Sequence, residues 1–234
     1  MINSKIFLKG LLSTKRFDSP AIALGASFIA IGALLKNLGF TIQESIFSTL
    51  LTYALPGSLV MAESLLIGAS FLNIFLAVWL VNARLYPMTV SLMPLVMHKN
   101  QPRWKYYLSC HFVAVSSWLI MKSNYKKIDK KFRIDFWIGV GAATWLIGIF
   151  STAIGYLSAD YLNKDMMIGL AIVNPIYFMC AMIGVMKSKS ITIAIILGVI
   201  LGPIFYFISP EWCILIGGVI AGSIAFFIGE KNVT

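Results

Sequence analysis

The sequence predicts an all-α integral membrane protein, a polytopic bundle of about eight transmembrane helices (six to eight crossings), several interrupted by proline or glycine. Three observations carry this. Hydrophobic residues make up 59% of the 234-residue chain and charged ones 12%, with mean hydropathy +0.86, whereas soluble domains carry about one quarter charged residues. The apolar residues fall in repeated runs long enough to cross a bilayer, which takes about 20 residues. The charges lie between those runs in short basic segments, as the loops of a polytopic helical protein do.

Eight segments meet the length requirement in order: 20–39, 43–68, 71–97, 104–121, 135–158, 166–186, 190–208 and 211–229. Residues 1–19 precede them as a basic segment. Its long charged region has no A-x-A-like cleavage site behind it, so it does not read as a secretory signal. Ile6, Phe7, Leu8, Leu11 and Leu12 among lysines fit an amphipathic helix in the membrane interface; a disordered tail is the other reading. From 20 to 234 the connections are short, which predicts one transmembrane domain. Its halves, 20–121 and 135–229, meet at the basic midpoint "KSNYKKIDKKFR".

Orientation follows from lysine and arginine placement. With the N-terminus inside, the inner segments hold 13 of the 19 bases, the outer segments 5, and the last is Arg84. The bias predicts a cytoplasmic N-terminus. One loop, "HKNQPRWK", is basic yet falls outside, as it would if a segment before it did not cross.

The same placement argues that the net charge of +10 serves topology and contact with the lipid bilayer rather than nucleic acid. Cys110, Cys180 and Cys213 are odd in number, lie in apolar runs and form no CxxC pair. They predict neither a disulfide framework nor a metal site, and no cofactor motif is present. Gly198 with Gly202 and Gly218 with Gly222 are small-xxx-small pairs that allow close helix approach.

Proline and glycine interrupt the second span at "ALPGSL", the third at Pro87, the sixth at "VNPIY" and the seventh at "LGPIF". Proline removes a backbone donor and clashes with the preceding turn. In lipid such breaks persist where protein or a water-filled cavity satisfies the freed groups, and transporters build midplane sites from them. Spans two and six, and three and seven, carry prolines in corresponding places, which is the pattern of an internal repeat. Chance placement of eight prolines explains it equally well.

Arg84 stands in the middle of the third apolar run. An arginine there costs about 2.5–3.5 kcal/mol on insertion scales, so it should face the bundle interior. Spans two and three are joined near Ala69 and Ser70 with almost no loop, so residues at one depth have numbers summing to about 139. Arg84 is then level with Leu55 and Asn82 with Gly57, beside Pro56 and Ser58. A guanidinium fork matches a carboxylate in two parallel hydrogen bonds, and freed N–H groups at a broken helix also favour an anion. Together these residues describe a receptor for the carboxylate of a small substrate. The competing reading is an arginine paired only within the protein, although Glu63, the one acid clearly inside a neighbouring span, sits about 12 Å away along the axis. Glu63 and His111 are the candidates for proton coupling. Ser116 and Ser117 near His111 form no nucleophile elbow, and an enzyme is not predicted.

The segments "YALPGSL" and "LVNARLYPMTVSLMPL" resemble the AzlC family, the large subunits of bacterial branched-chain amino-acid exporters. The family's Gly-Ala-Ser-Gln-like break is matched by Pro56, Gly57, Ser58 and Leu59. Its Asn/Asp-x-Arg-His motif is matched by Asn82, Arg84, Leu85, Tyr86, Ser91 and Leu92. Residues 138–155 and 168–184 resemble its second half, so the similarity runs from about 18 to 229. Leu59 replaces the family's glutamine, Leu85 its histidine, and 104–121 lack its acid. The resemblance implies a permease subunit exporting small apolar amino acids together with a small AzlD-type membrane subunit. Arg84 would hold the carboxylate, and Asn174 would face the break from the sixth span. The alternative is a non-transporting scaffold or assembly subunit with a structural Arg84.

Overall fold

In the computed structural model of the protein, residues 3–15, 20–99, 101–185, 189–208 and 213–230 are described. They are helical, with no strand among them. The helices are α1 (Ser4–Leu12), α2 (Pro20–Asn37), α3 (Ile42–Leu51), α4 (Leu55–Leu66), α5 (Phe71–Asn82), α6 (Leu85–Val96), α7 (Arg103–Ser109), α8 (Val115–Asn124), α9 (Arg133–Ser158), α10 (Lys164–Val185), α11 (Lys189–Ile208) and α12 (Cys213–Glu230). Two compact units divide the chain at Pro175, inside α10.

The first unit is organised on α9, whose 26 residues rise about 39 Å, enough to span a hydrocarbon core of about 30 Å. Glycines bring its neighbours to backbone contact. A Cβ on Gly32 would meet the Thr152 carbonyl, and one on Gly155 the Ile29 carbonyl, so α2 runs parallel to α9 at the closest approach helices allow. Gly10 and Gly139 do the same for α1, against Phe136 and Phe7, and the Asn3 amide donates to the Asp135 carboxylate at 3.1 Å. The N-terminal segment is therefore a helix packed across the first turns of α9, not a tail. Ile6 joins the core around Trp137, Ile134 and Leu92.

The second apolar segment does not cross. After α2, Gly39 (φ +84°) reverses the chain: its amide and that of Phe40 bond Lys36 and Leu35 carbonyls, a left-handed helix stop that glycine alone enters freely. Thr41 and Glu44 then form a capping box that restarts the chain as α3. α3 descends along α9: Tyr156 bonds the Phe40 carbonyl, Thr49 bonds Thr152 at 2.9 Å, Trp145 bonds the Leu50 carbonyl, and Tyr53 stacks on Phe28 beside Gly148. At 52–54 the helix stops, and α4 climbs back beside α2. Leu55 packs with Leu24 and Phe28 as well as Ile31, while Ala62 reaches Leu35, Leu38 and Phe40. Ten and twelve residues give arms of about 15 and 18 Å, half a bilayer each.

A second hairpin enters from the opposite end. α5 and α6 together are long and apolar enough for one span, with a bend of 44° between them at 83–84. It ends where Arg133 donates to the Leu95 carbonyl at 3.1 Å, at the start of α9. α7 then rises, with Trp137 donating to the Ser109 carbonyl, and turns at 110–114. There Phe112 covers Gly141 and Ala114 packs with Phe28 and Tyr53. α8 descends beside α6, where Trp118 bonds Ser91 at 3.1 Å, until Met121 meets the Ile134 cluster. With seven and ten residues, neither arm can cross.

Two of the eight predicted spans, 43–68 and 104–121, are thus hairpins, because their polar interruptions release the chain at mid-depth. The loop "HKNQPRWK" lies at the same end of α9 as 122–134, since Gln101 also bonds the Lys131 carbonyl, and it is not on the opposite side as counted. The turn at Gly68 (φ +67°) lies at the other end, not the inner one. Pro87 does not break a helix either: it occupies the first turn of α6, where its missing N–H costs nothing.

In the second unit, residues 176–234, α11 and α12 pack together and Gly217 rests on Leu201 and Gly202. Gly198, Gly218 and Gly222 have nothing within 4 Å of a Cβ, so the tight crossings belong to Gly10, Gly32, Gly139 and Gly155 instead. α10 and α11 run through Pro175 and Pro203 as unbroken helices, so the breaks of the first unit have no counterparts at these prolines.

Candidate functional site

Three interruptions meet at the middle of α9. The first hairpin contributes 51–54, the α5–α6 bend contributes Asn82 and Leu85 with Thr89, and the second hairpin contributes Cys110, His111 and Val113. Between them lies a cavity of about 270 Å³, a volume in the range of a small metabolite. Each interruption brings a helix C-terminus and a helix N-terminus to the same place. α4 starts from Ala54 and α6 from Arg84, neither with a side-chain cap; Pro56 and Pro87 carry no N–H and the Tyr86 amide bonds the Ala83 carbonyl, so Leu55, Gly57 and Leu85 hold the first-turn N–H groups that face no cap. α8 is closed by Ser117, whose hydroxyl accepts from the Ala114 amide. Ser117 is a capping residue here, not a nucleophile.

The hairpin relation between α4 and α5 holds at Gly57 and Asn82. A Cβ on Gly57 would lie 2.5 Å from Asn82 Nδ2 and 2.9 Å from Oδ1. The glycine is needed because the Asn82 amide lies directly on the α4 backbone. The turn that sets this register is a Schellman motif: Gly68 and Ala69 amides bond the carbonyls of Leu65 and Ser64.

Polar atoms at this junction lack partners. Among the described residues five buried side-chain nitrogens and oxygens make no hydrogen bond, and Tyr53 OH, Asn82 Oδ1 and Arg84 Nε are three of them. The Tyr53 hydroxyl faces Thr144 without reaching good geometry. Each such atom costs about 1–3 kcal/mol when left unsatisfied, so Tyr53 and Asn82 in the wall of one small cavity, with Arg84 two residues beyond Asn82, describe a place prepared for polar company. Arg84 makes no ion pair among the described residues and sits at the N-cap of α6, where a cation opposes the helix dipole by about 0.3–1 kcal/mol. Both features favour an added anion.

The other predicted residues lie elsewhere. Pro56 lines a second, mainly apolar cavity of about 600 Å³ with Leu55 and Leu59, facing Ile31 and Leu34 of α2. Ser58 is buried with its hydroxyl on the Ala54 carbonyl. Glu63 is exposed on α4 and does not pair with Arg84. His111 lines the central cavity and packs edge-on to Trp145 at 5.9 Å. The Asn174 side chain lies outside the described residues. Sequence reasoning missed Tyr53, Thr89 and Cys110, and the visible signal for the last was the polar stretch "SCHFVAVSS" inside an apolar run. No acid lines the central cavity, and no cluster of three or more metal-ligating side chains occurs among the described residues.

No curated protein matches the chain, and no solved structure does either. A family model described as AzlC protein matches residues 20–162, which include both hairpins, the bent span and α9. That range is more than half of the 234 residues and stops short of the expected similarity at 168–184. This chain belongs to the AzlC family, a transporter-associated family of membrane proteins.

Proposed function

We propose that the protein is the large subunit of an inner-membrane permease that exports small amino acids, branched-chain or similarly apolar, with Arg84 holding the substrate carboxylate. The observation that carries this is the pair of unsatisfied polar atoms on Tyr53 and Asn82, residues that line a cavity of about 270 Å³, with the unpartnered Arg84 Nε two residues beyond Asn82. The Leu55 and Gly57 amides of α4 and the Leu85 amide of α6 add N–H groups for the carboxylate. Carbonyls at the ends of α3 and α5, with Asn82 Oδ1, serve the ammonium where the family's acid is missing. Gly57 admits Asn82, and Pro56 and Ser58 shape the turn that carries the break. Glu63 and His111 remain the candidates for proton coupling.

The cytoplasmic N-terminus gains support from the fold. Lys5, Lys9, Lys15, Lys99, Arg103, Lys105 and the six bases of 122–133 belong to the Asp135 end of α9, against Lys36 and Lys164 at the other. With two segments folded as hairpins, six crossings remain. α5 leaves Phe71, Phe75 and Trp79 exposed, an apolar face for lipid and for a small AzlD-type subunit.

Efflux from proteoliposomes, with and without that subunit, tests the reading with Arg84→Lys. Lysine keeps the charge but loses the planar fork, so transport should fall at least about tenfold, with melting unchanged. Full transport by the folded variant refutes bidentate carboxylate binding. Loss of folding alone assigns Arg84 to a scaffold.

A further inference from the structure

We propose that a second cavity, at the basic end of α6 and α7, is a vestibule that draws carboxylate substrates toward the central cavity; this rests on the transport reading above. The cavity measures about 620 Å³, and Lys99, Arg103, His98 and Gln101 line it, with no carboxylate in its wall. Neither Lys99 nor Arg103 has an ion pair among the described residues. Lys105 adds a third cation behind the wall: it is 6% exposed, and its ammonium donates to Gln101 Oε1 at 2.9 Å.

This loop is folded, not merely solvated. Tyr106 accepts the His98 amide at 2.9 Å and donates to the His98 carbonyl at 3.2 Å. Gln101 ties the loop to the Lys131 carbonyl. Like charges are thus held around one concavity without a counter-charge, which focuses a positive potential into it. That arrangement explains why the bases of "HKNQPRWK" are gathered here. Cys110 lines both this cavity and the central one, so an anion attracted by Lys99 and Arg103 is delivered to the residue where the two meet. A headgroup phosphate shares the same oxyanion chemistry. The shared Cys110 wall favours a small solute that moves on.

Cys110 reports the field directly. In a Cys180→Ser/Cys213→Ser background, in vesicles of neutral phosphatidylcholine, an anionic sulfonate thiol reagent should modify Cys110 from the N-terminal side. It should react about tenfold faster than in a Lys99→Gln/Arg103→Gln variant, while a cationic trimethylammonium reagent shows the opposite order. Equal rates for both reagents, or no effect of the double variant, overturn the vestibule. A preference that disappears when phosphatidylglycerol is added assigns the bases to lipid headgroups and also overturns it. Labelling does not need transport, so the Arg84→Lys result and this one can fail separately.

Discussion

Gly57→Ala separates positioning of Asn82 from stability of the fold. The new Cβ would stand 2.5 Å from Asn82 Nδ2 and 3.1 Å from Cγ, so the amide must retreat by about 1 Å to reach ordinary contact. The obstacle is the end of a side chain, not backbone, so α4 and α5 need not part. Pushing the amide off its rotamer costs about 0.5–1.5 kcal/mol, and alanine in place of glycine in the first turns of α4 returns up to about 1 kcal/mol. The net stability change should lie within about 1 kcal/mol, a melting shift of roughly 2–4 °C at this chain length. Transport should fall far more, because the displaced amide no longer meets a ligand at the break. Asn82→Ala alone removes the same group, and Gly57→Ala added to it should then be neutral or stabilising. That cycle predicts a coupling energy of about 1–2 kcal/mol in melting and no further loss in efflux. Wild-type efflux by Gly57→Ala, or strictly additive effects on melting, refutes the placement of Asn82 on Gly57.

The hairpins predict sidedness: in otherwise cysteine-free protein, Ser70→Cys should label from the side opposite to Gln101→Cys and Lys126→Cys, which should label together. Labelling of Gln101→Cys from the Ser70 side would restore crossings at 43–68 and 104–121. Gly155→Ala should destabilise by about 1–3 kcal/mol, since the added methyl meets the Ile29 backbone, which cannot give way. Gly32→Ala at the same crossing should add less than its own full cost, read as melting of the purified protein.

Helical class and membrane residence were legible because composition decides them. The level of Asn82 against Gly57 was legible too, since a tight turn fixes register along two straight arms. What could not be read was whether a run of apolar residues crosses or returns. Residues 43–68 are as apolar as a span, but Thr52–Tyr53–Ala54 ends α3 at mid-depth, and hydropathy averages such a stop away. The same holds at 110–114, where Ser117 caps a helix that starts inside the bundle. Glycine-mediated packing was misassigned for a related reason: spacing alone does not say which glycines face a neighbour. Gly32 and Gly155 do, while Gly198 and Gly218 do not.

The hairpins also change the form of internal symmetry that this chain supports. Halves of 20–121 and 135–229 with four crossings each would be parallel copies, and the unbroken α10 and α11 do not repeat the interruptions expected of them. A shorter unit fits the topology. α2 crosses and is followed by a hairpin from the far end; the α5–α6 span crosses back and is followed by a hairpin from the near end. With one crossing each, an odd number, two such units would be inverted relative to one another. The tips of the two hairpins, 52–54 and 110–114, are then forced to the same depth from opposite sides. A small polar cavity at that depth follows from the inversion, because each tip exposes backbone that neither lipid nor its own helix can satisfy. On the proposed transport reading, Arg84, on the bend between α5 and α6, supplies the charge that the two tips lack.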